Sequence, residues 1–568
     1  MKRLQRLTLS PVTRRRWLLG LMGASAAAVV VRAAQMQLWQ ADFYRRQGRL
    51  RHLRSVAIPA HRGVIIDRQG HPLAVSSPMG SLVADPRPLK DDPAAMGLLA
   101  DLLGLARDPF MVRLRGAAAR LGGFIYLKRH LPLDRAQWIE KRDFPGVYLR
   151  REYRRYYPDG EVIAHLLGFT DIDDRGQEGL EYRFDAHLKG EAGHRPLVID
   201  SKGRAVASAG DVEPPRAGSP LALSIDRRVQ YAAYRALKAG VKRHRAVGGT
   251  AVVLDVDSGE LLAVVNQPGG NPNDRRQRRP ELLRNRAVTD LFEPGSTIKP
   301  FTVIAALMDR QWRASSRVDT SPGWMRVGRN TVRDLRDYGD LSLAEIIAKS
   351  SNVGITKLAL SLDPERLWTL LKDLGFGAPT AVELPGQQSG SLDHHRGWGD
   401  FEYATRAFGY GLSATALQLV QAYGVVAANG IKRPLTVLKR ETVPRGEQIL
   451  PAAAAVALRA MLEDVVGRDG TGRRAAVAGY RVAGKTGTVH KVVRGRYVDR
   501  YRALFAGFAP ASRPRLAAVV VIDEPRRQGY HGGEAAAPVF GELMTEALRL
   551  LRIPPDALAI PPRVVGLP

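Results

Sequence analysis

Ser296 and Lys299 stand three residues apart in Phe292-Glu293-Pro294-Gly295-Ser296-Thr297-Ile298-Lys299-Pro300. A serine hydroxyl is a poor nucleophile until a neighbouring base takes its proton, and a lysine amine desolvated in a packed site can be tuned to do so. Pro-Gly punctuates the chain, and Ile298, Phe301, Val303, Ile304, Ala306, Leu307 and Met308 continue an apolar helical run. The pattern predicts a mostly buried helix opened by Ser296. On one face of that helix the Lys299 amine can reach the Ser296 hydroxyl. The helix N-terminus adds N–H groups and a positive dipole end where an oxyanion would form. Taken alone, the pair is better read as an N-capping serine beside a solvated lysine. Average usage yields a Ser-x-x-Lys about once or twice by chance in a chain of this length.

Two further patterns follow in order, and each occurs once. Ser350-Ser351-Asn352 ends the amphipathic stretch 341–349 and precedes the apolar stretch 355–360, which puts a hydroxyl and an amide at an interhelix corner. They could relay a proton to a leaving amine and hold a substrate carbonyl. Ordinary Ser/Asn turn chemistry uses the same residues. Lys485-Thr486-Gly487-Thr488 lies in the stretch 480–489, which reads as a short strand with a glycine for close backbone approach. An edge strand of this kind can receive an extended peptide as an added strand. Lys485 and the hydroxyls of Thr486 and Thr488 suit a substrate carboxylate.

The ordered trio is the known signature of penicillin-binding proteins and class A β-lactamases. Supporting stretches are Arg62-Gly63-Val64-Ile65-Ile66-Asp67-Arg68-Gln69-Gly70, residues 160–169, 284–290 and 535–540, and Phe408-Gly-Tyr-Gly-Leu412. With them the chain resembles a class B penicillin-binding protein, specifically the division-type (septal) peptidoglycan D,D-transpeptidase of Gram-negative bacteria. The resemblance runs from the N-terminal apolar segment to about Ile553. It departs at Ala416, where the family usually has proline, and at Val489, where alanine is common; neither removes a catalytic group.

The resemblance implies an α+β transpeptidase fold, an antiparallel sheet flanked by helices, on an elongated N-terminal pedestal domain of the dimerisation type. The implied limits are a cytoplasmic tail at 1–16, a single transmembrane helix at 17–39, the pedestal at 40–217, the transpeptidase domain at 218–553 and a flexible tail at 554–568. It also implies a two-step acyl transfer without a cofactor or metal. Lys299 takes the Ser296 proton, Ser296 attacks the penultimate D-Ala of a stem ending in D-Ala-D-Ala, and D-Ala leaves. An amine of a neighbouring stem then resolves the acyl-enzyme as a cross-link. The N–H groups of Ser296 and Thr488 would form the oxyanion hole and Ser350 would serve proton transfer. Asn352, Lys485, Thr486 and Gly487 would orient the substrate. β-Lactams would trap Ser296 as a stable ester. Implied partners are peptidoglycan stem peptides, the inner membrane, a septal glycosyltransferase and other divisome proteins, with the catalytic domain in the periplasm. A D,D-carboxypeptidase or β-lactamase would instead pass the acyl group to water, but no Glu-x-x-Leu-Asn pattern completes the class A lactamase set. A catalytically silent divisome scaffold or β-lactam sensor is the non-enzymatic alternative.

Composition sets independent limits. The 568 residues allow several domains, and 45% apolar content suffices for sizeable cores. The net charge of +30 could suggest a nucleic-acid partner. No recognition-helix, zinc-finger or RNA-binding signature accompanies it, and the basic residues scatter, as suits a surface facing anionic lipid and wall polymer. With no cysteine there are no disulfides, Fe–S sites or thiol nucleophiles. His394-His395 lacks a metal-ligand partner pattern and reads as a solvated loop. No Gly-x-Ser-x-Gly elbow is present.

Lys2, Arg3, Arg6, Arg14, Arg15 and Arg16 precede the apolar stretch 17–31, which continues past Arg32 to Trp39. This is short for a span and requires Arg32 to snorkel or face a partner. A cleaved signal peptide is the alternative reading. The positive-inside rule places residues 1–16 in the cytoplasm. Further on, Pro214-Pro215-Arg-Ala-Gly-Ser-Pro220 marks a boundary. After it the pattern predicts strands at 220–225, 249–255, 260–265, 505–508 and 516–522, a helix at 228–241 capped by Asp226, and a closing helix near 539–551.

Overall fold

The computed structural model describes residues 10–44, 53–118, 124–199, 205–208, 210–309 and 311–557. Residues 1–9 of the expected cytoplasmic tail and 558–568 of the expected flexible tail lie outside the described residues.

The chain divides into two compact units, one of Met1–His61 with Gly190–Ala217 and one of Arg62–Lys189 with Gly218–Pro568. In the first, a helix Pro11–Ala34 begins with Pro11 at its first position and with Ser10 accepting from the Thr13 N–H at 3.3 Å, both strong start signals. It runs on through a π-turn, Gln35–Trp39. The 29 residues Pro11–Trp39 have a mean hydropathy of 1.6 in their best window and are long and apolar enough to cross a membrane. The helix therefore starts earlier than the apolar stretch does, and Arg32 finds a partner on its own helix, donating to Gln35 Oε1 at 2.9 Å. The same unit holds a three-stranded antiparallel sheet in which Gly193–Ile199 pairs with both Leu53–Ile58 and Ala205–Ser208.

In the second unit, residues 62–189 build a smaller layer. The long strand Pro72–Ala84 pairs antiparallel with Ile125–Leu131 and Val147–Tyr156. The helices Pro93–Leu103, Arg107–Ala118 and Leu133–Glu140 cover it, burying Leu82, Leu99, Leu103, Phe110, Leu114 and Ile139. At its base, Ile65–Ile66 pairs in parallel with Leu221–Ala222, the short piece that forms of the expected strand at 220–225. Arg62 lies buried there. It donates to Glu181 Oε2 at 2.8 Å and Asp185 Oδ1 at 2.7 Å, while Arg155 donates to Glu181 Oε1 at 2.6 Å. Glu181 is fully buried and shared by two guanidiniums.

The remainder is organised by a five-stranded antiparallel sheet in the order Leu261–Gln267, Gly248–Asp255, Leu516–Asp523, Arg496–Ala509, Ala483–Val493. Its central strands read as continuous apolar runs because helices cover both faces. Ala251, Val253, Val520 and Ile522 meet Val229, Leu237, Phe540 and Leu543 of the helices Arg227–Arg243 and Ala537–Leu550. Val252, Leu254, Val519 and Val521 join the other core, with Phe301, Ile304, Leu419 and Tyr423. The alternation of odd and even positions is the two-residue strand period made visible.

Glu181→Gln keeps the side-chain volume but removes the carboxylate that Arg62 and Arg155 share. A loss of about 3–5 kcal/mol is expected for breaking a buried ion pair from one side. Thermal denaturation should show a clearly lowered midpoint; an unchanged midpoint would mean the triad is structurally neutral.

Candidate active site

The serine's turn is shaped by its neighbours. Gly295 has φ +53°, a left-handed value that favours glycine. Thr297 closes the turn by donating its hydroxyl to Pro294 O at 2.6 Å. Gly295–Thr297 is a 3₁₀ turn, and the α-helix Lys299–Leu307 begins only after it. Ser296 thus sits on a tight turn ahead of the helix, partly exposed, rather than on the helix's own first turn. Two other segments hold this turn. The Gly295 N–H donates to Gly409 O at 2.9 Å, and Tyr423, buried on the helix Ala416–Ala427, donates its phenol to Thr297 O at 2.9 Å. Glu293 Oε1 accepts from the Gly411 N–H at 2.8 Å and the Tyr497 hydroxyl at 2.9 Å.

Lys299 is fully buried. Its Nζ donates to Ser350 O at 2.6 Å, Asn352 Oδ1 at 2.7 Å and Ser350 Oγ at 3.1 Å. The expected direct link to Ser296 differs in the structure: among the described residues no hydrogen bond joins the two, and all three of the amine's bonds go to the second motif. Burial drives the lysine down to about 7, with the charge of Asp334 pulling the other way. A neutral amine has two N–H groups and one lone pair. The two closest acceptors, Ser350 O and Asn352 Oδ1, can take the N–H groups, which frees the lone pair for a hydroxyl proton.

The corner that supplies those acceptors lies between two helices, Leu343–Lys349 and Asn352–Leu360. Ser350 occupies a left-handed conformation, φ 59°, and caps the first helix, its N–H donating to Ile346 O and Ile347 O. That conformation costs a non-glycine residue about 1–2 kcal/mol. Ser351 caps the second helix by accepting from the Gly354 N–H at 2.8 Å. Asn352 Nδ2 donates to Arg333 O at 2.9 Å, which turns Oδ1 toward Lys299.

The third motif lies on the sheet's edge strand, Ala483–Val493, longer than the short strand the sequence suggested. Lys485 is fully buried, and Nζ reaches Thr486 O at 3.2 Å and Thr486 Oγ1 at 3.4 Å. Burial first, and then the charge of Lys299, push its amine well below the usual lysine range. Thr486 donates its hydroxyl to Thr471 at 2.9 Å, and Thr488 Oγ1 accepts from the Gly532 N–H at 2.9 Å. Gly487 lets the edge strand approach the serine's turn: a Cβ there would lie 3.0 Å from Thr297 Cγ2 and 3.1 Å from Pro294 O. Val489 is buried and packs against Gly295 in the same contact.

The structure thus brings Ser296, Lys299, Ser350, Asn352 and Lys485-Thr486-Gly487-Thr488 onto packed neighbours of one sheet edge. Sequence patterns gave no sign of Asp334, Thr471 or Tyr423, because each acts on a motif from another stretch, nor of the part played by Glu293, whose partners Gly411 and Tyr497 are distant in sequence. His394 is exposed in a loop, as expected, and both imidazoles lie tilted against Trp368, with ring centroids 4.6 Å and 5.4 Å away.

A buried lysine next to a turn-borne serine and a Ser-x-Asn corner, beside a Lys-Thr-Gly edge strand, supplies the groups that active-serine acyl transfer requires. Residues 249–545 match the penicillin binding protein transpeptidase domain, and residues 57–223 the penicillin-binding protein dimerisation domain. The peptidoglycan D,D-transpeptidase FtsI of Escherichia coli K12 is 41% identical over 550 residues, covering 95% of this chain and 92% of its own. The probable peptidoglycan D,D-transpeptidase PbpC of Pseudomonas aeruginosa is 39% identical over 541 residues, 95% of each chain. Among solved structures, the transpeptidase domain of Burkholderia pseudomallei penicillin-binding protein 3 superposes with a TM-score of 0.55 at 40% identity, over 59% of this chain and 97% of that one. Penicillin binding protein 3 of Mycobacterium tuberculosis, complexed with aztreonam, gives 0.69 at 27% identity, over 88% and 98%. The chain belongs to the class B penicillin-binding proteins of the division type.

Because a lysine held near 7 serves as a base only when neutral, acylation by a chromogenic β-lactam should accelerate as pH rises through about 7 and level off above it. Stopped-flow rates across that range check this. A flat profile would show that no group essential to acylation titrates in that range.

Proposed function

We propose that this protein is a peptidoglycan D,D-transpeptidase that cross-links stem peptides during septal wall synthesis through an acyl-enzyme on Ser296. The observation that carries the reading is the fully buried Lys299, hydrogen-bonded to Ser350 and Asn352 beside the partly exposed Ser296. Neutral Lys299 takes the Ser296 proton as Oγ attacks the carbonyl carbon of the penultimate D-Ala. The C–O bond forms, the tetrahedral oxyanion rests against the N–H groups of Ser296 and Thr488, and the C–N bond to the last D-Ala breaks. The proton passes through Ser350 to the departing amine. An amine of a neighbouring stem then attacks the ester carbonyl: the new C–N bond forms, the bond from the carbonyl carbon to Ser296 Oγ breaks, and the proton shed by the attacking amine restores the serine hydroxyl.

Asn352, Thr486 and Gly487 align the donor peptide along the edge strand. Lys485 meets its terminal carboxylate. Buried without charge compensation, this amine is disfavoured as a cation, and an arriving carboxylate would supply the missing counter-charge. The helix Pro11–Trp39 anchors the chain in the inner membrane, with residues 1–16 in the cytoplasm and the catalytic domain in the periplasm. On this reading 40–217 is a pedestal that contacts divisome partners, among them a septal glycosyltransferase, 218–553 is the transpeptidase domain, and 554–568 is a tail.

Ser296→Ala should fold and lose covalent labelling by a fluorescent penicillin, because alanine removes the acyl acceptor. Lys299→Arg keeps the charge but cannot lose its proton. Acylation should fall by about two orders of magnitude if lysine is the base. Labelling of Ser296→Ala at another serine, or a Lys299→Arg variant within a few-fold of wild type, would overturn the respective assignment. Purified protein given stem-peptide donor and amine acceptor should form cross-links; release of D-Ala with hydrolysis alone would indicate a carboxypeptidase.

The anchor has its own test. Full-length protein should sediment with membranes and retain its initiator end, whereas a chain beginning near Ala41 should be soluble and still bind penicillin. A mature N-terminus near Ala33 would reveal a cleaved signal.

A further inference from the structure

Asp334 belongs to none of the three motifs. It follows the hairpin of strands Trp324–Val327 and Asn330–Arg333, and its own N–H donates to Gly323 O at 2.9 Å, fixing it to the hairpin's base. From there its carboxylate reaches the start of the helix Asn352–Leu360. It accepts from the Ser351 hydroxyl at 2.5 Å, from the Asn352 N–H and from the Val353 N–H at 3.1 Å. A carboxylate is well suited to N–H groups at a helix start. The preceding residue completes the grip, since Arg333 O accepts from Asn352 Nδ2 at 2.9 Å. One end of one hairpin therefore holds Asn352 by both its backbone and its side-chain amide. With Nδ2 engaged, Oδ1 is left to face the Lys299 amine at 2.7 Å.

We propose that Asp334 is a positioning residue for the acylation step: acting through Ser351 and the N–H groups of Asn352 and Val353, it fixes the corner whose three acceptors hold the Lys299 amine. This rests on the reading of Lys299 as the base. The same carboxylate is the negative charge that opposes burial at Lys299. Lys485, on the strand Ala483–Val493, is the other amine near enough to feel the Lys299 charge, which adds to burial in lowering it. The helices Leu343–Lys349 and Asn352–Leu360 meet the amine at their shared corner through the neutral Ser350 and Asn352. The helices Pro364–Leu374 and Ala452–Asp464 pack on the Lys299 helix through buried leucines such as Leu371 and Leu458. Asp334 thus has two separable effects, one geometric and one electrostatic.

Two substitutions in the full-length protein separate them. Asp334→Asn retains an oxygen for the backbone N–H groups but loses the charge. Its acylation rate on the alkaline plateau should stay within about ten-fold of wild type, while the acid limb of the pH profile moves to lower pH, because an amine without its opposing carboxylate is neutral at lower pH. Asp334→Ala loses the grip as well, and its acylation should fall by about ten-fold or more at every pH. Circular dichroism and thermal denaturation establish that each variant is folded. An Asp334→Asn profile that superimposes on wild type overturns the proposal whether or not the alanine variant folds, and so does a folded Asp334→Ala within two-fold of wild type. A wild-type profile with no acid limb, together with an active Lys299→Arg, would instead sink the parent reading of Lys299.

Discussion

Burying an amine among neutral acceptors is the constraint around which this site is built. An exposed lysine is about three units too basic to take a proton from serine at neutral pH. Taking Lys299 out of water removes that obstacle, but the cost must be carried by the fold, because an unsatisfied buried amine would be worse than an exposed one. The corner at residues 350–352 meets that cost. It offers a carbonyl, a hydroxyl and an amide oxygen to a single Nζ, and none of them carries a charge that would lock the lysine in its protonated form. A carboxylate in direct contact would have satisfied the amine better and made it a poorer base.

That arrangement explains why so much of the surrounding backbone is irregular. Ser350 holds a left-handed conformation, Gly295 holds another, and Gly409 and Gly487 stand where a Cβ would strike or crowd the serine's turn. Such features cost stability locally and persist only where a rigid frame over-determines them. The frame is the five-stranded sheet, buried on both faces, with the Lys485 strand as its open edge. Rigid elements carry the site residues, and on the proposed reading the edge strand accepts an extended peptide.

The motifs were legible because each is short and local: a Pro-Gly turn before an apolar helix, a polar corner between two helices, a glycine inside a strand. The strands Gly248–Asp255, Leu261–Gln267 and Leu516–Asp523 were legible as apolar runs and appear within two residues of the expected limits, as do the helices Arg227–Arg243 and Ala537–Leu550, whereas the strand expected at 505–508 runs from Arg496 to Ala509 because its first half is polar. Three things were not. Ser296 belongs to a 3₁₀ turn because Thr297 and Ile298 bond back to Pro294 and Gly295, a detail below the resolution of helical periodicity. The sequence paired Lys299 with Ser296 through helical spacing, yet the corner at 350–352 outcompetes the serine for the amine, a tertiary contact that spacing cannot report. Asp334 and Thr471 act across chain separations for which a single sequence carries no signal.

On the proposed reading, the two buried lysines have opposite needs. Lys299 and Lys485 are close enough that the charge of one disfavours the charge of the other, so the empty site resists holding two cations. A base needs Lys299 neutral, whereas recognition of a carboxylate needs Lys485 charged. Arrival of a substrate carboxylate favours protonation at Lys485, and the resulting ion pair is neutral overall, leaving little net field to reprotonate or to pin Lys299. On the proposed reading, substrate binding therefore does more than align the peptide. It also brings the counter-charge that the buried Lys485 amine lacks.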